Sequence, residues 1–118
     1  MDLILEVRTG REQATLVCHG KLLGGKEADV FRSSAILLMG AFEKLIINFA
    51  GVRTVDGGGL GSLVGVLAAA VDKGRQVRII HACSLVREML AATNRERCLD
   101  PRSGPGPQLV TKIQDSVA

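Results

Sequence analysis

Lys44-Leu45-Ile46-Ile47-Asn48-Phe49, then Asp56-Gly57-Gly58-Gly59-Leu60-Gly61-Ser62 opening a run of small and aliphatic residues to Lys73, then Gln76-Val77-Arg78-Ile79-Ile80-His81: this stretch decides the fold. Its first run is short and nearly continuously apolar, the pattern of a strand covered on both faces. Residues 50–55 read as a loop. Asp56 stands where an N-cap would stand for a helix over 57–73, and Gly74 suits a left-handed stop after it. The spacing puts Leu60, Leu63, Val64, Leu67, Ala68 and Val71 on that helix's buried face. Two strands flanking a helix of crossover length make a βαβ unit, with the strands parallel and the crossover right-handed.

Working outward, residues 3–9 and 13–19 read as two strands of a hairpin turned at Gly10, Arg11 and Glu12, with Gly20 ending the second. A helix over 26–40 follows, with Ala28, Phe31, Ala35, Leu38 and Phe42 on one stripe. Beyond the central unit, Ser84 is placed to cap a short helix over 85–93 whose face is Leu85, Val86, Met89 and Leu90. Asn94 suits the left-handed position after it. Residues 97–100 read as a weak edge strand. The proline- and glycine-rich residues 101–107 read as a linker. The tail over 108–118 carries Leu109, Val110, Ile113 and Val117 at helical spacing. The predicted fold class is α/β: one domain over 1–100, with a mixed sheet that starts as an antiparallel hairpin and continues parallel, and three to four helices.

Composition narrows the function. The chain has 118 residues, 47% hydrophobic and 23% charged, which suits one globular domain and excludes disorder for its bulk. Aromatics are 3%, with no Trp or Tyr, which argues against base-stacking platforms. The net charge of +3 is spread among acids, so it does not make a nucleic-acid face; the densest basic cluster is Arg95, Arg97 and Arg102. No apolar run is long enough to span a membrane, and the first residues lack a secretory pattern. Cys18, Cys83 and Cys98 are odd in number and widely spaced, which suits small buried side chains in a reducing, cytoplasmic compartment. His19 and His81 read as strand-end residues without metal-ligand spacing. No nucleophile–base–orienter set or acid pair can be assembled, so the expectation is no enzyme, no metal and no cofactor.

Three consecutive glycines cost backbone entropy, so something at Gly57–Gly59 needs bare backbone. A phosphate cradle is one reading, but no Walker Lys follows and the Gly-x-Gly-x-x-Gly pattern from Gly57 fails at Ser62. A purely structural reading has Asp56 cap the helix while the glycines allow close packing.

A third reading comes from resemblance. Ile47-Asn48-Phe49 through Val55-Asp56-Gly57-Gly58-Gly59-Leu60-Gly61 resembles the signature of STAS domains, the sulfate-transporter and anti-sigma-factor-antagonist family. That signature is an apolar strand, a loop and Asp-Ser-Ser-Gly-Leu-Gly opening a helix. Gly20, Gly74 with Val77–Ala82, and Ser84–Leu90 resemble further family elements, so the likeness covers about residues 4–100. It implies a bacterial, cytoplasmic, non-catalytic switch in transcription signalling. Such a domain binds an anti-sigma factor, often a serine kinase of the histidine-kinase-like ATPase fold, and is released when phosphorylated at the helix start. Carried over position by position, the resemblance places the partner surface at Lys21, Leu22, Leu23, Arg53, Thr54, Val55, Asp56, Gly57, Gly58, Gly59 and Leu60.

The departures are informative. The family's two serines fall on Gly57 and Gly58, and the phosphosite position is Gly58, which has no hydroxyl. Where many members have Gly-Glu/Asp-Leu-Asp, this chain has Gly20-Lys21-Leu22-Leu23, so two acids become Lys21 and Leu23. Thr54 and Ser62 are the substitute hydroxyls in reach. The expectation is an antagonist that binds without the phosphorylation off-switch. The alternative is a diverged ligand-binding or scaffold module, as in a transporter accessory subunit or stress-sensing assembly, with a nucleotide, anion or lipid at the helix start.

Overall fold

The computed structural model describes residues 2–99. The linker expected at 101–107 and the tail at 108–118 lie outside the described residues. Strands β1 (Leu3–Thr9), β2 (Gln13–Leu22), β3 (Lys44–Val55) and β4 (Gln76–Ile80) form a four-stranded sheet in the order β1-β2-β3-β4. The β1–β2 pair is antiparallel, and β2–β3 and β3–β4 are parallel. Helices α1 (Lys26–Ala41), α2 (Gly57–Lys73) and α3 (Ser84–Ala92) supply the connections, with a short 3-10 turn at Glu96–Cys98. This is the mixed α/β sheet expected from the sequence.

Alternate strand positions face the helices. Ala14, Leu16 and Cys18, then Leu45, Ile47 and Phe49, then Val77 and Ile79 are buried in one cluster with Phe31, Ala35 and Met39 of α1, Leu63, Val66 and Leu67 of α2, and Val86 and Leu90 of α3. Phe31 and Phe49 meet across the α1–sheet seam with ring centroids 6.0 Å apart and a tilt of 36°. On the other face Ile46 and Asn48 are only half-buried, so β3 is fully covered on one face rather than two.

Several expectations are corrected. The second strand does not stop at Gly20, and residues 50–55 are not a loop. Gly20↔Val52, Lys21↔Thr54 and Leu22↔Val55 pair in parallel, so both strands run on together. The ladder continues through two register shifts, between Val17 and His19 and between Gly20 and Lys21; Gly20 stands at the second with φ +103°, and Lys21 N–H donates to the Asp2 carbonyl at 2.8 Å.

Helix α2 is turned by one residue from its predicted face. Gly59, Ser62, Leu63, Val66, Leu67 and Ala70 are buried, while Ala68 is exposed and Val71 is 74% exposed. Aliphatic residues surround this helix, so their period selects no single face, and close packing at its first turn decides instead. Cys83 rather than Ser84 occupies the N-cap of α3, without a side-chain bond. The expected edge strand over 97–100 reduces, among the described residues, to the 3-10 turn and one parallel bridge, Ile79↔Leu99. Gly74 at φ 67° and Asn94 at φ 57° take the left-handed positions predicted for them.

Of the cysteines only Cys18 is fully buried; Cys83 and Cys98 are half-buried. Burial pushes the Cys18 thiol up to about 12. At pH 8 a thiol reagent is therefore expected to modify Cys83 and Cys98 in the native chain, with Cys18 reacting only after denaturant is added. Modification of Cys18 at the same rate as the other two would contradict this burial.

Candidate functional site

The end of β2, the end of β3 and the start of α2 meet at one corner of the sheet. Asp56 organises it. Its Oδ1 accepts the Gly59 N–H at 2.8 Å, which is the N-cap bond, and the Gly24 N–H at 2.9 Å from the β2–α1 connection. Asp56 N–H donates to the Leu22 carbonyl at 3.3 Å, and the Asp56 carbonyl accepts Leu60 N–H at 2.9 Å. One carboxylate thus ties the helix start to the neighbouring loop. Asp56→Ala is expected to cost about 1–2 kcal/mol, the range for an N-cap deletion, and urea denaturation reads it.

The glycines have unequal duties. A Cβ on Gly59 would collide with the Leu22 carbonyl oxygen. A Cβ on Gly58 would lie 2.5 Å from Gly24 Cα. Gly57 and Gly61 have nothing within 4 Å. The triplet therefore serves two backbone-to-backbone approaches, Gly59 on Leu22 and Gly58 on Gly24. The bond from Gly24 N–H to Asp56 joins positions 32 residues apart, which no local sequence pattern specifies. The adjacent Gly24-Gly25 pair, with Gly25 at φ +89°, was the available signal.

The predicted surface residues do come together here. Arg53 and Thr54 are exposed near the end of β3, Lys21 is half-buried opposite Thr54, and Leu23, Val55 and Leu60 are half-buried. Gly57 and Gly58 are exposed. Leu22 and Gly59 face inward and shape the corner from beneath. Of the two substitute hydroxyls, Thr54 is open to solvent, whereas Ser62 is 9% exposed and its Oγ donates to the Gly59 carbonyl at 2.7 Å. Arg53 and Lys21 make no ion pair among the described residues, so the corner presents positive charge around the single carboxylate of Asp56.

The histidines are separate from this corner's chemistry. His19 lies within β2, not at a strand end, with Nε2 3.0 Å from Glu6 Oε1 across the β1–β2 pair. That contact holds the Glu6 carboxyl below the usual carboxylate range. His81 follows β4, and its Nδ1 is buried without a partner among the described residues. Among the described residues no three metal-ligating side chains converge. No described helix is long and apolar enough to cross a membrane.

No family model matches the sequence, and no curated protein does. Solved structures do share the fold. The phosphorylated Bacillus cell fate determinant SpoIIAA matches with a TM-score of 0.70 at 15% identity, over 82% of this chain and 89% of that one. An anti-sigma factor antagonist from Mycobacterium paratuberculosis matches with a TM-score of 0.65 at 13% identity, over 84% and 86%. Part of the murine anion transporter Slc26a9 matches with a TM-score of 0.58 at 19% identity, over 72% of this chain and 14% of the transporter. The chain has the STAS-domain fold that the sequence pattern suggested.

Proposed function

We propose that this STAS-fold chain is a non-catalytic, cytoplasmic interaction domain that works as an anti-sigma factor antagonist, docking an anti-sigma factor through the corner of Lys21–Leu23, Arg53–Val55 and the first turn of α2. The observation that carries the reading is the Asp56 tie, which holds the β2–α1 loop and the helix start as one rigid surface. The fold likeness to SpoIIAA and the mycobacterial antagonist supports it. Pre-organised surfaces bind better because less is lost to ordering.

With glycine at positions 57 and 58, the complex has no hydroxyl at the helix start for a kinase to charge. The partner is then held whether or not ATP is present. The test is co-purification from the source organism with and without ATP, followed by phosphosite mapping. An ATPase-type anti-sigma factor recovered equally in both conditions, with Arg53→Glu lowering its affinity at least tenfold, is the expected result. Phosphate on Thr54 or Ser62 would overturn the unswitched part of the proposal. A second reading, a scaffold module within a transporter assembly, draws on the likeness to part of Slc26a9. Recovery of transporter subunits instead of an anti-sigma factor would select it.

A further inference from the structure

The opposite pole of the molecule, at the C-terminal end of α2, carries a feature the partner surface does not use. A cavity of about 390 Å³ opens between the end of α2, the start of β4 and the segment after α3. That volume falls within the range of small-molecule sites. Its walls divide by chemistry. Leu67, Ala70 and Val71 of α2 with Val77 supply apolar lining, and Arg75, Arg78, Arg95 and Arg97 line the cavity together with uncharged polar residues. No Asp or Glu lines it among the described residues.

Two ordinary explanations for such arginines leave Arg75 unaccounted for. Ion pairing is the first: among the described residues none of the four is within ion-pair distance of a carboxylate. Glu12 and Glu43 line an adjoining hollow that shares Arg75 and Gln76, and neither carboxylate is within ion-pair distance of Arg75. Capping of helix carbonyls is the second, since cations favour helix C-termini. At the end of α2 the Ala70 carbonyl is taken by Arg75 N–H at 2.9 Å and the Val71 carbonyl by Gly74 N–H at 3.2 Å. Those of α3 are taken too, Met89, Leu90 and Ala91 by the backbone N–H groups of Thr93, Arg95 and Asn94. Arg78 and Arg95 each spend one Nη on a nearby carbonyl, of Val77 and Thr93. Arg75 spends none, and its Nε is buried without a partner among the described residues. A buried donor left unmatched is costly, and an acceptor from outside the chain resolves it.

From this we infer that the cavity binds a small soluble molecule carrying a diphosphate group, with its organic body against the apolar wall of α2. Guanidinium forks recognise phosphoryl oxygens in pairs, so four arginines match two adjacent phosphoryl groups in number and in charge. A single phosphate would leave two of the four arginines unmatched. The site lies away from the Asp56 corner and is independent of the partner proposed there.

The test is calorimetric titration of the full chain with inorganic pyrophosphate, orthophosphate, ADP and geranyl diphosphate at physiological salt. Saturable one-to-one binding is expected, with pyrophosphate at least tenfold tighter than orthophosphate. One organic diphosphate should be tighter still, and which one names the body. Arg75→Gln should weaken binding at least tenfold. Because Arg75 is partly buried, the exposed Arg97→Gln provides a second variant with little risk to folding and should weaken it severalfold, while Lys26→Gln at the exposed start of α1 leaves it unchanged. Non-saturating binding, equal affinity for orthophosphate and pyrophosphate, or affinity untouched by both arginine variants would overturn the inference.

Discussion

Gly59→Ala is expected to cost about 3 kcal/mol of stability, a large share of what a domain of this size possesses. In an ordinary helix the same change would help by about 1 kcal/mol, because glycine is a poor helix former. Here the added methyl would strike the Leu22 carbonyl oxygen, a backbone atom that also receives the Asp56 N–H. A side chain could rotate away; this carbonyl is held in the β2–β3 ladder, where Leu22 pairs with Val55. Relief requires moving the whole start of α2 off the sheet. Gly61→Ala supplies the contrast two residues along, with nothing within 4 Å, and should be neutral or stabilise the chain by up to about 1 kcal/mol. The urea midpoint should fall for Gly59→Ala and hold or rise for Gly61→Ala. Equal midpoints would mean that the helix start is not pinned to β2.

Gly58→Ser is expected to destabilise by about 1–3 kcal/mol, whereas Gly57→Ser should change stability by less than about 0.5 kcal/mol. The Gly58 substituent would sit 2.5 Å from Gly24 Cα, while the Gly57 position is open. Restoring a hydroxyl at the position the resemblance implies for phosphorylation therefore displaces the Gly24 loop and stretches the Gly24–Asp56 bond. On the proposed function the same variant also weakens partner binding before any kinase acts, since the loop belongs to the docking surface. Stability and partner affinity measured together check this. A Gly58→Ser chain as stable as the parent, with unchanged affinity, would show that the two glycines do not set the loop.

How far the sequence could be read depended on whether the signal was local. The N-cap at Asp56 and the stops at Gly74 and Asn94 are local, and the chain uses them as read. The buried face of α2 was not local information. Its aliphatics occur all round, so the tightest contact, Gly59 on Leu22, chose the rotation. The same applies to residues 50–55. Alone they look like a loop, but pairing with Gly20, Lys21 and Leu22 makes them strand. That extension carries Arg53 and Thr54 to one edge beside Lys21.

By itself the sequence determined an α/β chain with a hairpin, a parallel βαβ unit and a bare-backbone helix start at Asp56, because caps, turns and hydrophobic period act over a few residues. Only the tertiary structure decided which glycines are indispensable, that Asp56 bridges two segments, and that four arginines spread from Arg75 to Arg97 line one cavity. Those facts depend on distances between segments far apart in the chain, which burial of a common core sets.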